Sequence, residues 1–459
     1  MKNSMLAVDR GSSLIGKSIG EKSAVLVFAF VLVLTATCPF NFVRTDDVLA
    51  AYSEIIVPDE YSTIQEAVNN AADGDTIFVR AGTYCEHVVV SKTLSFIGED
   101  RNTTIVDGSG SGYVMSILSD NVSVTGFTVQ NGQFGIYVLN SKYANIFNNI
   151  IAHNYGSDWD AGMRLEYADY TTIRDNIITD NWRGVLLYAF SPYVSVYGNN
   201  VTGNEYGIRV TMGGSSYVNI SGNYVANNRA YGIDVTGFGG EAQSNYATIA
   251  GNLIVNNTYE AVGLGEGSNY NTVIRNKMIG NGHAGVTLER YSNNNTVVRN
   301  DIISNAYGVC FDLFAVNSTQ NTISNNNIIN NTQQVRIVSG SVNSWNGSYP
   351  CGGNYWSDYS GLDLFSGPYQ NVTGEDGLGD TPYVIDVNNV DNYPLMTPWS
   401  RLLGDVNDDG TVDIFDAILL ANAFNSEIGM PHWNPEADLD NDNVIDIFDA
   451  IILSLNFGK

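Results

Sequence analysis

The chain has 459 residues, a formal net charge of −27 and four cysteines, three of them beyond residue 38. This length exceeds one ordinary compact domain and predicts several domains or a repeat architecture. So acidic a chain would repel phosphate groups, which excludes a nucleic-acid-binding protein, and three cysteines do not make a disulfide framework, although Cys310 and Cys351 could pair.

The first 51 residues have the pattern of an export segment. Lys17 and Lys22 precede an apolar run at 23–40, and small residues at 49–53 offer a cleavage point. A basic flank followed by an apolar core is typical of a signal peptide and predicts a secreted protein, extracellular or attached to the cell surface. An uncleaved membrane anchor stays open as the alternative, because the apolar run approaches the length that spans a bilayer.

Residues 62–74 (STIQEAVNNAADG) predict a short helix ahead of the first strands. Ser62 is the expected N-cap, Gln65 completes a capping box and Gly74 ends the helix. The expected buried face consists of Ile64, Ala67, Val68 and Ala71. Strand-like residues follow at 76–84, so this helix is expected to cover one end of a β-structure.

One six-residue motif, Asn-x-apolar-x-x-Asn, recurs eight times between residues 149 and 331 at intervals of 23 to 29 residues. A period near 24 residues with three short apolar pieces predicts one coil of a right-handed parallel β-helix. Asn at a fixed corner tolerates a left-handed backbone, and its amide can bond the next coil. These Asn residues are therefore expected to be structural rather than catalytic.

Both ends of this repeat resemble a known family. Residues 57–84 (VPDEYSTIQEAVNNAADGDTIFVRAGTY) resemble the N-terminal cap and first coil of the pectate-lyase-like right-handed β-helix superfamily, and more narrowly its NosD branch. Residues 353–363 and 377–396 resemble the C-terminal cap of that branch. The resemblance implies a mainly-β solenoid at 52–345, a cap and linker at 346–400, and a polysaccharide bound or cut along the parallel sheets.

The recurring Gly that follows each motif allows the outward-facing positions, two and four residues later, to be assigned. They include Tyr137, Arg164, Glu166, Tyr188, Arg209, Asp234, Thr287, Glu289 and Asp312. Stacked from coil to coil, these side chains form a stripe of aromatic, acidic and basic groups suited to sugars. The candidate catalytic residues are Arg164, Glu166, Arg209 and Asp234, and the candidates for a carbohydrate groove are Tyr137, Tyr188, Glu289 and Asp312.

The enzyme class stays open. The resemblance implies that a β-helix lyase would use an Arg base beside calcium-binding carboxylates, which Arg164 or Arg209 with Glu166 and Asp234 would supply. A hydrolase would need two carboxylates at a defined separation. The Gly-His-Gly signature of the superfamily's polygalacturonases is absent, and a solvated face without catalysis is the alternative.

Two acidic segments near the C-terminus both run into the sequence DIFDA. Counted from Asp405 and from Asp438, oxygen ligands fall at positions 1, 3, 5, 7, 9 and 12, which is the spacing of a twelve-residue calcium loop. The predicted ligands of two calcium ions are Asp405, Asn407, Asp409, Thr411, Asp413 and Asp416 in one loop and Asp438, Asp440, Asp442, Val444, Asp446 and Asp449 in the other. Position 7 contributes its backbone carbonyl group.

Each loop continues directly into an apolar helix, and no entering helix fits before the first loop. This duplicated unit at 401–459 resembles a type I dockerin, a small α-helical calcium-dependent module that binds a cohesin domain on a scaffold protein. The resemblance implies cohesin contacts at loop positions 10 and 11, which are Ile414-Phe415 and Ile447-Phe448, so that either half could dock. Packing of Ile414 and Ile447 between the two halves is the alternative.

Together these patterns predict a secreted, dockerin-bearing β-helix protein that acts on or binds polysaccharide and is anchored to a cohesin scaffold. A non-catalytic structural or adhesive surface protein is the alternative. Copper delivery, the function that the NosD resemblance would imply, is disfavoured because copper handling needs clusters of His, Met or Cys, whereas the four histidines lie at 87, 153, 283 and 432.

Overall fold

The computed structural model describes residues 53–156, 159–237, 243–311, 318–338, 340–400, 402–407, 411–427, 433–434, 436–440, 442 and 444–459. The N-terminal segment predicted for export, and the site candidates Asp312 and Asp409, lie outside these residues. The described part forms two compact units with a boundary in the sequence near residue 400, a long β-solenoid before it and a small helical unit after it.

The solenoid is a stack of about twelve coils in which each coil contributes a strand to three parallel sheets. Sheet A contains β1 (Glu54–Val57), β2 (Thr76–Val79), β5 (Ser95–Gly98), β8 (Ser123–Thr125), β11 (Asn145–Phe147), β14 (Thr172–Arg174), β17 (Ser195–Tyr197), β20 (Asn219–Ser221), β23 (Thr248–Ala250), β26 (Thr272–Ile274), β29 (Thr296–Val298) and β32 (Thr322–Ser324). Sheet B contains β3 (Gly82–Cys85), β6 (Thr104–Asp107), β9 (Thr128–Gln130), β12 (Ile150–Ala152), β15 (Ile177–Thr179), β18 (Asn200–Thr202), β21 (Tyr224–Ala226), β24 (Leu253–Val255), β27 (Lys277–Ile279), β30 (Asp301–Ile303), β33 (Asn327–Ile329) and β35 (Tyr355–Trp356). Sheet C contains β4 (Val88–Val90), β7 (Tyr113–Ile117), β10 (Phe134–Leu139), β13 (Ala161–Glu166), β16 (Arg183–Ala189), β19 (Tyr206–Val210), β22 (Ile233–Thr236), β25 (Val262–Gly265), β28 (Ala284–Leu288), β31 (Tyr307–Phe311) and β34 (Gln333–Ile337). The predicted parallel β-helix is confirmed.

A continuous hydrophobic core runs through the solenoid from Ile55 to Trp356. It consists mainly of Val, Ile and Leu, one or two from each short strand, because alternate residues of a strand point inward. β-Branched side chains suit this position, since their stiff side chains pack well on a pleated surface.

The recurring motif forms two ladders of buried asparagines, one at each end of the sheet B strands. In the first ladder the side-chain amide of Asn176 donates to Oδ1 of Asn199 at 3.0 Å, and that of Asn199 donates to Asn223 at 3.0 Å. In the second ladder the amide of Asn181 donates to Asn204 at 3.1 Å. The predicted structural role of these residues is confirmed, because the ladders pair their buried amides at both ends of the sheet B strands.

The predicted helix is present as α1 (Ile64–Asn70), and its expected buried face is confirmed, but its cap is not Ser62. Thr63 is the N-cap, and its hydroxyl accepts a hydrogen bond from the backbone N–H of Glu66 at 3.1 Å. The predicted capping box is therefore wrong by one residue. Gln65 instead reaches the next coil, where its Oε1 accepts from the backbone N–H of Val89 at 2.6 Å.

The far end of the solenoid is closed by two buried tryptophans. The indole N–H of Trp345 donates to Asn389 at 3.0 Å, and that of Trp356 donates to Asp391 at 2.9 Å. Burial raises the pKa of Asp391 to about 6, against hydrogen bonds from Asn354 and Trp356 that lower it. Short strands follow the last coil, namely β36 (Phe365–Ser366), β37 (Val372–Thr373), β38 (Tyr383–Val384) and β39 (Val390–Asp391).

The C-terminal unit has two helices, α2 (Ile414–Ala423) and α3 (Ile447–Asn456), and a two-stranded sheet of β40 (Ser426–Glu427) and β41 (Val444–Ile445). Its own small core includes Val412, Leu420, Leu439, Ile445 and Leu453. Among the described residues of the whole chain, no helix has the length and apolarity needed to cross a membrane. Cys85 and Cys351 are exposed free thiols, and Cys310 is buried.

Candidate functional site

Each acidic loop is tied to the start of the helix that follows it. Asp413 and Asp446 are the N-caps of α2 and α3, and Asp416 and Asp449 complete capping boxes at the third helical position. Oδ1 of Asp416 accepts from the backbone N–H of Asn407 at 2.9 Å, so the predicted ligand at position 12 of the loop holds the backbone of position 3 in place. The same bond links Asp449 to Asp440 at 3.3 Å.

The donor set of the second loop fits a calcium ion. One carboxylate oxygen from each of Asp438, Asp440 and Asp442 lies within 4.8 Å of the others. Partial burial and the neighbouring charges of Asp449, Asp442 and Asp446 raise the pKa of Asp440. A divalent cation would relieve this repulsion, and clustered carboxylates with backbone carbonyls are the hard oxygen ligands that calcium prefers. The ligand assignments themselves stay a prediction, and Asp409 lies outside the described residues.

The residues predicted to contact a cohesin lie at the exposed start of each helix. Ile414 and Phe415 are 50 and 61 % exposed, and Ile447 and Phe448 are 50 and 59 % exposed. Packing of the two isoleucines between the halves is therefore wrong, because neither belongs to the core of the unit. Ile418 and Ile451, one turn further along, are also exposed and extend each pair into an apolar strip.

The outer face of sheet C carries most of the other predicted site residues. Tyr137 pairs with Arg164, Arg164 with Leu186, Leu186 with Arg209 and Arg209 with Asp234, so these five residues form one row across five coils. The row continues through Gly263 and Thr287. The side chain of Glu289 lies over Gly265, outside this row, and Asp312 lies outside the described residues.

The first charged pair in the row is Arg164 with Glu166. The two side chains contact each other, and the hydroxyl of Tyr137 donates to Oε2 of Glu166 at 3.0 Å. The guanidinium of Arg164 stacks over the ring of Tyr188 at 4.0 Å and lies 5.2 Å from that of Phe134. Burial, followed by the charge of Glu166, raises the pKa of Tyr137. A register shift at Glu166 displaces its partner strand by one residue.

The second charged pair is Arg209 with Asp234. Nε of Arg209 lies 3.0 Å from Oδ2 of Asp234, and its guanidinium lies 4.7 Å from the ring centre of Tyr206. Burial raises the pKa of Asp234 to about 6, Arg209 opposes this rise and Glu260 adds to it. Leu186 separates this pair from the first, two strand spacings or about 10 Å away. The four predicted catalytic residues thus form two pairs rather than one set.

Sequence reasoning missed three residues beside Asp234. Nδ1 of His283 lies 2.9 Å from Oε1 of Glu260, and Oε2 of Glu260 is buried without a hydrogen-bond partner among the described residues. Tyr231 stacks on Tyr206 with ring centres 5.9 Å apart. Tyr231 directly precedes the recurring Gly232, and Glu260 precedes Ala261, which takes the place of that Gly. The position before the Gly also faces outward. Extending the outward assignment to that position would have found them.

A cleft of about 400 Å³ opens beside this second pair. It is lined by Trp159, Arg209, Thr211, Thr236, Gly237, Glu266 and Arg290. An indole, two guanidinium groups and two hydroxyls offer an apolar wall and directed donors, the combination found in sites for polar small molecules and sugars. Arg290 lies 3.2 Å from Glu266, so the cleft carries both signs of charge.

Two family models match the chain. The model described as "Periplasmic copper-binding protein (NosD)" matches residues 68–260 and 236–361, and the model of the dockerin type I domain matches 403–457. Together the two NosD matches span more than half of the chain.

A curated relative and two solved structures show similarity. The "Cell surface glycoprotein" of Methanothermus fervidus is 31 % identical over 103 residues, which is 22 % of this chain and 17 % of that protein. The A-module of the mannuronan C-5 epimerase AlgE6 from Azotobacter vinelandii has a TM-score of 0.50 at 15 % identity, covering 61 % of this chain and 92 % of that one. The catalytic domain of a GH87 α-1,3-glucanase has a TM-score of 0.48 at 12 % identity, covering 66 % of this chain and 69 % of that one. At 15 % identity the epimerase module shows a shared fold.

The described residues do not fit a copper site, although copper appears in the description of the NosD model. Nδ1 of His87 contacts the carbonyl of Tyr113 at 2.8 Å, and His283 pairs with Glu260. Met163 and Met278 are sealed inside the solenoid core. Within the described ranges, the cluster of His, Cys, Asp or Glu that could hold an ion is the aspartate group of the second loop, whose hard oxygens suit calcium rather than copper.

Proposed function

The chain belongs to the NosD family of β-helix proteins and ends in a type I dockerin domain, and from this premise we propose that it is a scaffold-anchored protein that binds and acts on polysaccharide. The observation that carries the proposal is the cleft of sheet C, where Trp159, Arg209 and Arg290 converge, in the same chain as the dockerin. The β-helix would engage the polymer, and the dockerin would attach it to a cohesin scaffold.

The docking half of the proposal rests on the exposed pairs Ile414-Phe415 and Ile447-Phe448. Exposed isoleucine and phenylalanine side chains on a rigid helix start are costly in water and favourable in an interface. The two loops would hold one calcium ion each and fix these helix starts. We assign the ligands as predicted, positions 1, 3, 5, 7, 9 and 12 of each loop, and the unit boundary near residue 401.

The polysaccharide half rests on the charge pattern of sheet C. Arg209 and Arg290 offer guanidinium donors to a carboxylate or hydroxyl group, and Trp159 offers a flat apolar face to a sugar ring. Asp234 has the protonation behaviour of a general acid, because its pKa of about 6 keeps a large share protonated in mildly acidic solution. Uronate-containing polysaccharides are the favoured ligand class. Tyr137, Tyr188 and Glu289 would extend the contact surface.

An extracellular location follows from the same proposal. The curated relative is named a cell surface glycoprotein, and cohesin scaffolds and polysaccharides meet a dockerin-bearing protein outside the cell. Calcium modules of extracellular proteins can work with weak affinity because calcium there is abundant.

The test is a panel of purified glycans given to the full chain in calcium. Binding would be measured by affinity electrophoresis, and cleavage by new reducing ends and by the absorbance of unsaturated products. We expect binding of a uronate polymer, weakened at least tenfold in Arg209→Ala, with Arg174→Ala on sheet A as the matched control. Unsaturated products would identify a lyase, and reducing ends alone a hydrolase. No glycan binding with cohesin docking retained would overturn the polysaccharide half and favour a structural rod.

A further inference from the structure

A ladder of six tyrosines runs along the corner that leads into sheet A. Its members are Tyr143, Tyr170, Tyr193, Tyr217, Tyr246 and Tyr270. Successive ring centres lie 4.9 to 5.3 Å apart, and successive ring planes are within 14° of parallel. The rings cover one another's faces, so the ladder presents ring edges and phenol hydroxyls to solvent.

Each of these tyrosines has a left-handed backbone, with φ between 58° and 60°. A bulky residue in this region is strained, and the usual cost is on the order of 1–3 kcal/mol. Asn121, Asn294 and Gln320 occupy the same corner in other coils. Stacking offsets part of the strain, yet it uses the rings alone. The six hydroxyls make no hydrogen bond within the described part of the chain. All six residues are 43 to 53 % exposed, so their hydroxyls face solvent.

A second row of hydrogen-bonding groups lies two residues beyond the tyrosines, on the outer face of sheet A. In register from coil to coil it contains Asn145, Thr172, Ser195, Asn219, Thr248, Thr272, Thr296 and Thr322. One strand position further, Ser221 is 2 % exposed, and its hydroxyl has no hydrogen-bond partner among the described residues. Since Ile220 between them points into the core, both Asn219 and Ser221 point toward the outer face.

This face carries no charge over six coils of a strongly acidic chain. The six successive segments are 193–197, 217–221, 246–250, 270–274, 294–298 and 320–324, and none contains Asp, Glu, Lys or Arg, although 15 % of the chain is charged. The third position of each strand is small or apolar there, as in Ala250, Ile274 and Val298. The result is an uncharged strip of two side-chain rows, with hydroxyls repeated at the strand spacing, beside a third row in which Ser221 and Ala250 are buried.

We propose that this strip, the tyrosine ladder with the adjoining sheet A face, is a docking surface for the flat face of an insoluble neutral polysaccharide. A neutral partner is required because a charged polymer would gain no ion pair here. A regular repeat of hydroxyl and amide groups matches a polymer that repeats its own hydroxyls at about the length of one extended sugar ring. An uncharged strip that continues over six coils suits the face of an array of chains better than one dissolved chain.

This surface is separate from the cleft of sheet C, and the two face different ligand chemistries. Arg209 and Asp234 serve charged sugars on sheet C, whereas the strip on sheet A carries hydroxyls, amides and apolar groups. Loss of one activity therefore leaves the other in place. Such a protein would rest on an insoluble neutral wall material while its cleft engages a charged polymer.

The test is adsorption of the full chain to microcrystalline cellulose and to chitin, measured by depletion from solution in calcium. A charge variant, Ser195→Glu with Asn219→Asp and Thr248→Glu, is expected to adsorb at least tenfold more weakly. Its matched control adds the same charges to sheet B in the same coils, Asn200→Asp with Tyr224→Glu and Leu253→Glu, and is expected to adsorb like the parent. Thermal unfolding of each variant checks that the solenoid is intact.

A hydroxyl variant separates binding from ladder stability. Tyr170→Phe, Tyr193→Phe, Tyr217→Phe and Tyr246→Phe together keep every ring and remove four hydroxyls, and adsorption is expected to fall about threefold with unchanged unfolding. Equal adsorption of parent and charge variant, or no adsorption of the parent, would overturn the proposal. Equal affinity for soluble neutral glucans would show that the strip binds a single polysaccharide chain rather than the flat face of an insoluble array. Dimerisation lost in the charge variant would assign the strip to a second copy instead.

Discussion

The β-helix pairs its buried asparagine amides with one another from coil to coil, whereas the dockerin gathers like-charged carboxylates around its two loops. In the solenoid each buried asparagine amide bonds the next one, as Asn204 does with Asn228 at 3.2 Å, and every coil repeats the arrangement. In the dockerin, Asp438, Asp440 and Asp442 face one another beside a small core. The difference teaches that one chain can combine a unit whose buried amides pair internally with a unit whose clustered carboxylates repel one another.

Calcium removal should produce the largest difference between the two units. Chelation in the full chain is expected to abolish the order of α2 and α3, because the repulsion among the loop carboxylates is then uncompensated and binding energy is folding energy. Hydrogen exchange would show amides of 444–459 losing protection while those of 53–399 keep it. Added magnesium serves as the control and should restore less protection than calcium. Equal loss in both units would contradict the independence of the solenoid.

Docking should disappear when both apolar pairs are replaced together. Ile414→Asp and Phe415→Asp with Ile447→Asp and Phe448→Asp are expected to weaken cohesin binding by more than about 30-fold, since central apolar anchors each contribute about 2 kcal/mol or more. Isothermal titration would measure cohesin affinity, and calcium affinity should stay within about twofold. The matched controls change one pair at a time and should bind nearly as the parent. Cohesin binding retained in the variant with all four substitutions would contradict the assignment of these residues to the cohesin interface.

An interruption of an asparagine ladder should cost the solenoid a few kcal/mol. Asn204 is fully buried, and its Oδ1 accepts from both nitrogens of Asn181 at 3.0 and 3.1 Å. Asn204→Ala leaves the buried backbone N–H of Asn181 unpaired and breaks the ladder at this coil, which should lower the free energy of unfolding by about 2–4 kcal/mol. Asn200→Ala, exposed in the same motif, is the control and should change it by less than about 0.5 kcal/mol. Urea unfolding measures both.

Mild acid should move the two units in opposite directions. Folding raises the pKa of Asp234 and Asp391 to about 6, so between about pH 4 and pH 6 the folded solenoid binds more protons than the unfolded chain. Its stability should therefore rise as pH falls from 7 to 5, by roughly 1 kcal/mol for each group. Protons compete with calcium in the dockerin, which should weaken over the same interval.

Urea unfolding of the solenoid at pH 5 and pH 7 would measure this effect, with hydrogen exchange reporting the dockerin. Asp234→Asn should remove about half of the pH dependence of the solenoid. The carboxylates with lowered pKa, such as Asp75 and Asp107, lose their stabilising contribution only below about pH 4 and do not interfere. A solenoid that is less stable at pH 5 than at pH 7 would contradict the burial argument.

The repeat made the fold predictable, because the spacing of its motif along the sequence equals the length of one coil. Two asparagines five positions apart recur at the coil period, and the structure places them in two ladders. The spacing of hard oxygens likewise predicted the dockerin loops before any contact was known. Both signals are local in sequence and repeated, so each copy supports the others.

Contacts between coils were harder to predict, because coil length varies. The pairing of Glu260 with His283 joins different coils, and the register shift at Glu166 follows from one extra residue in the partner strand. The N-cap of α1 is Thr63 rather than the predicted Ser62, because two adjacent hydroxyls compete for one position. Such outcomes depend on packing in three dimensions rather than on a period.

The coil-by-coil asparagine ladders have a consequence for how such a protein grows. Each ladder asparagine bonds only its own coil and the two adjacent coils. A whole coil of about 24 residues can therefore be duplicated or lost by recombination while both end caps stay intact. Each duplication would lengthen the solenoid by one strand spacing, roughly 5 Å. The length of the outer faces of sheets A and C is therefore set by the number of coils that the gene encodes, and it changes by one coil at a time.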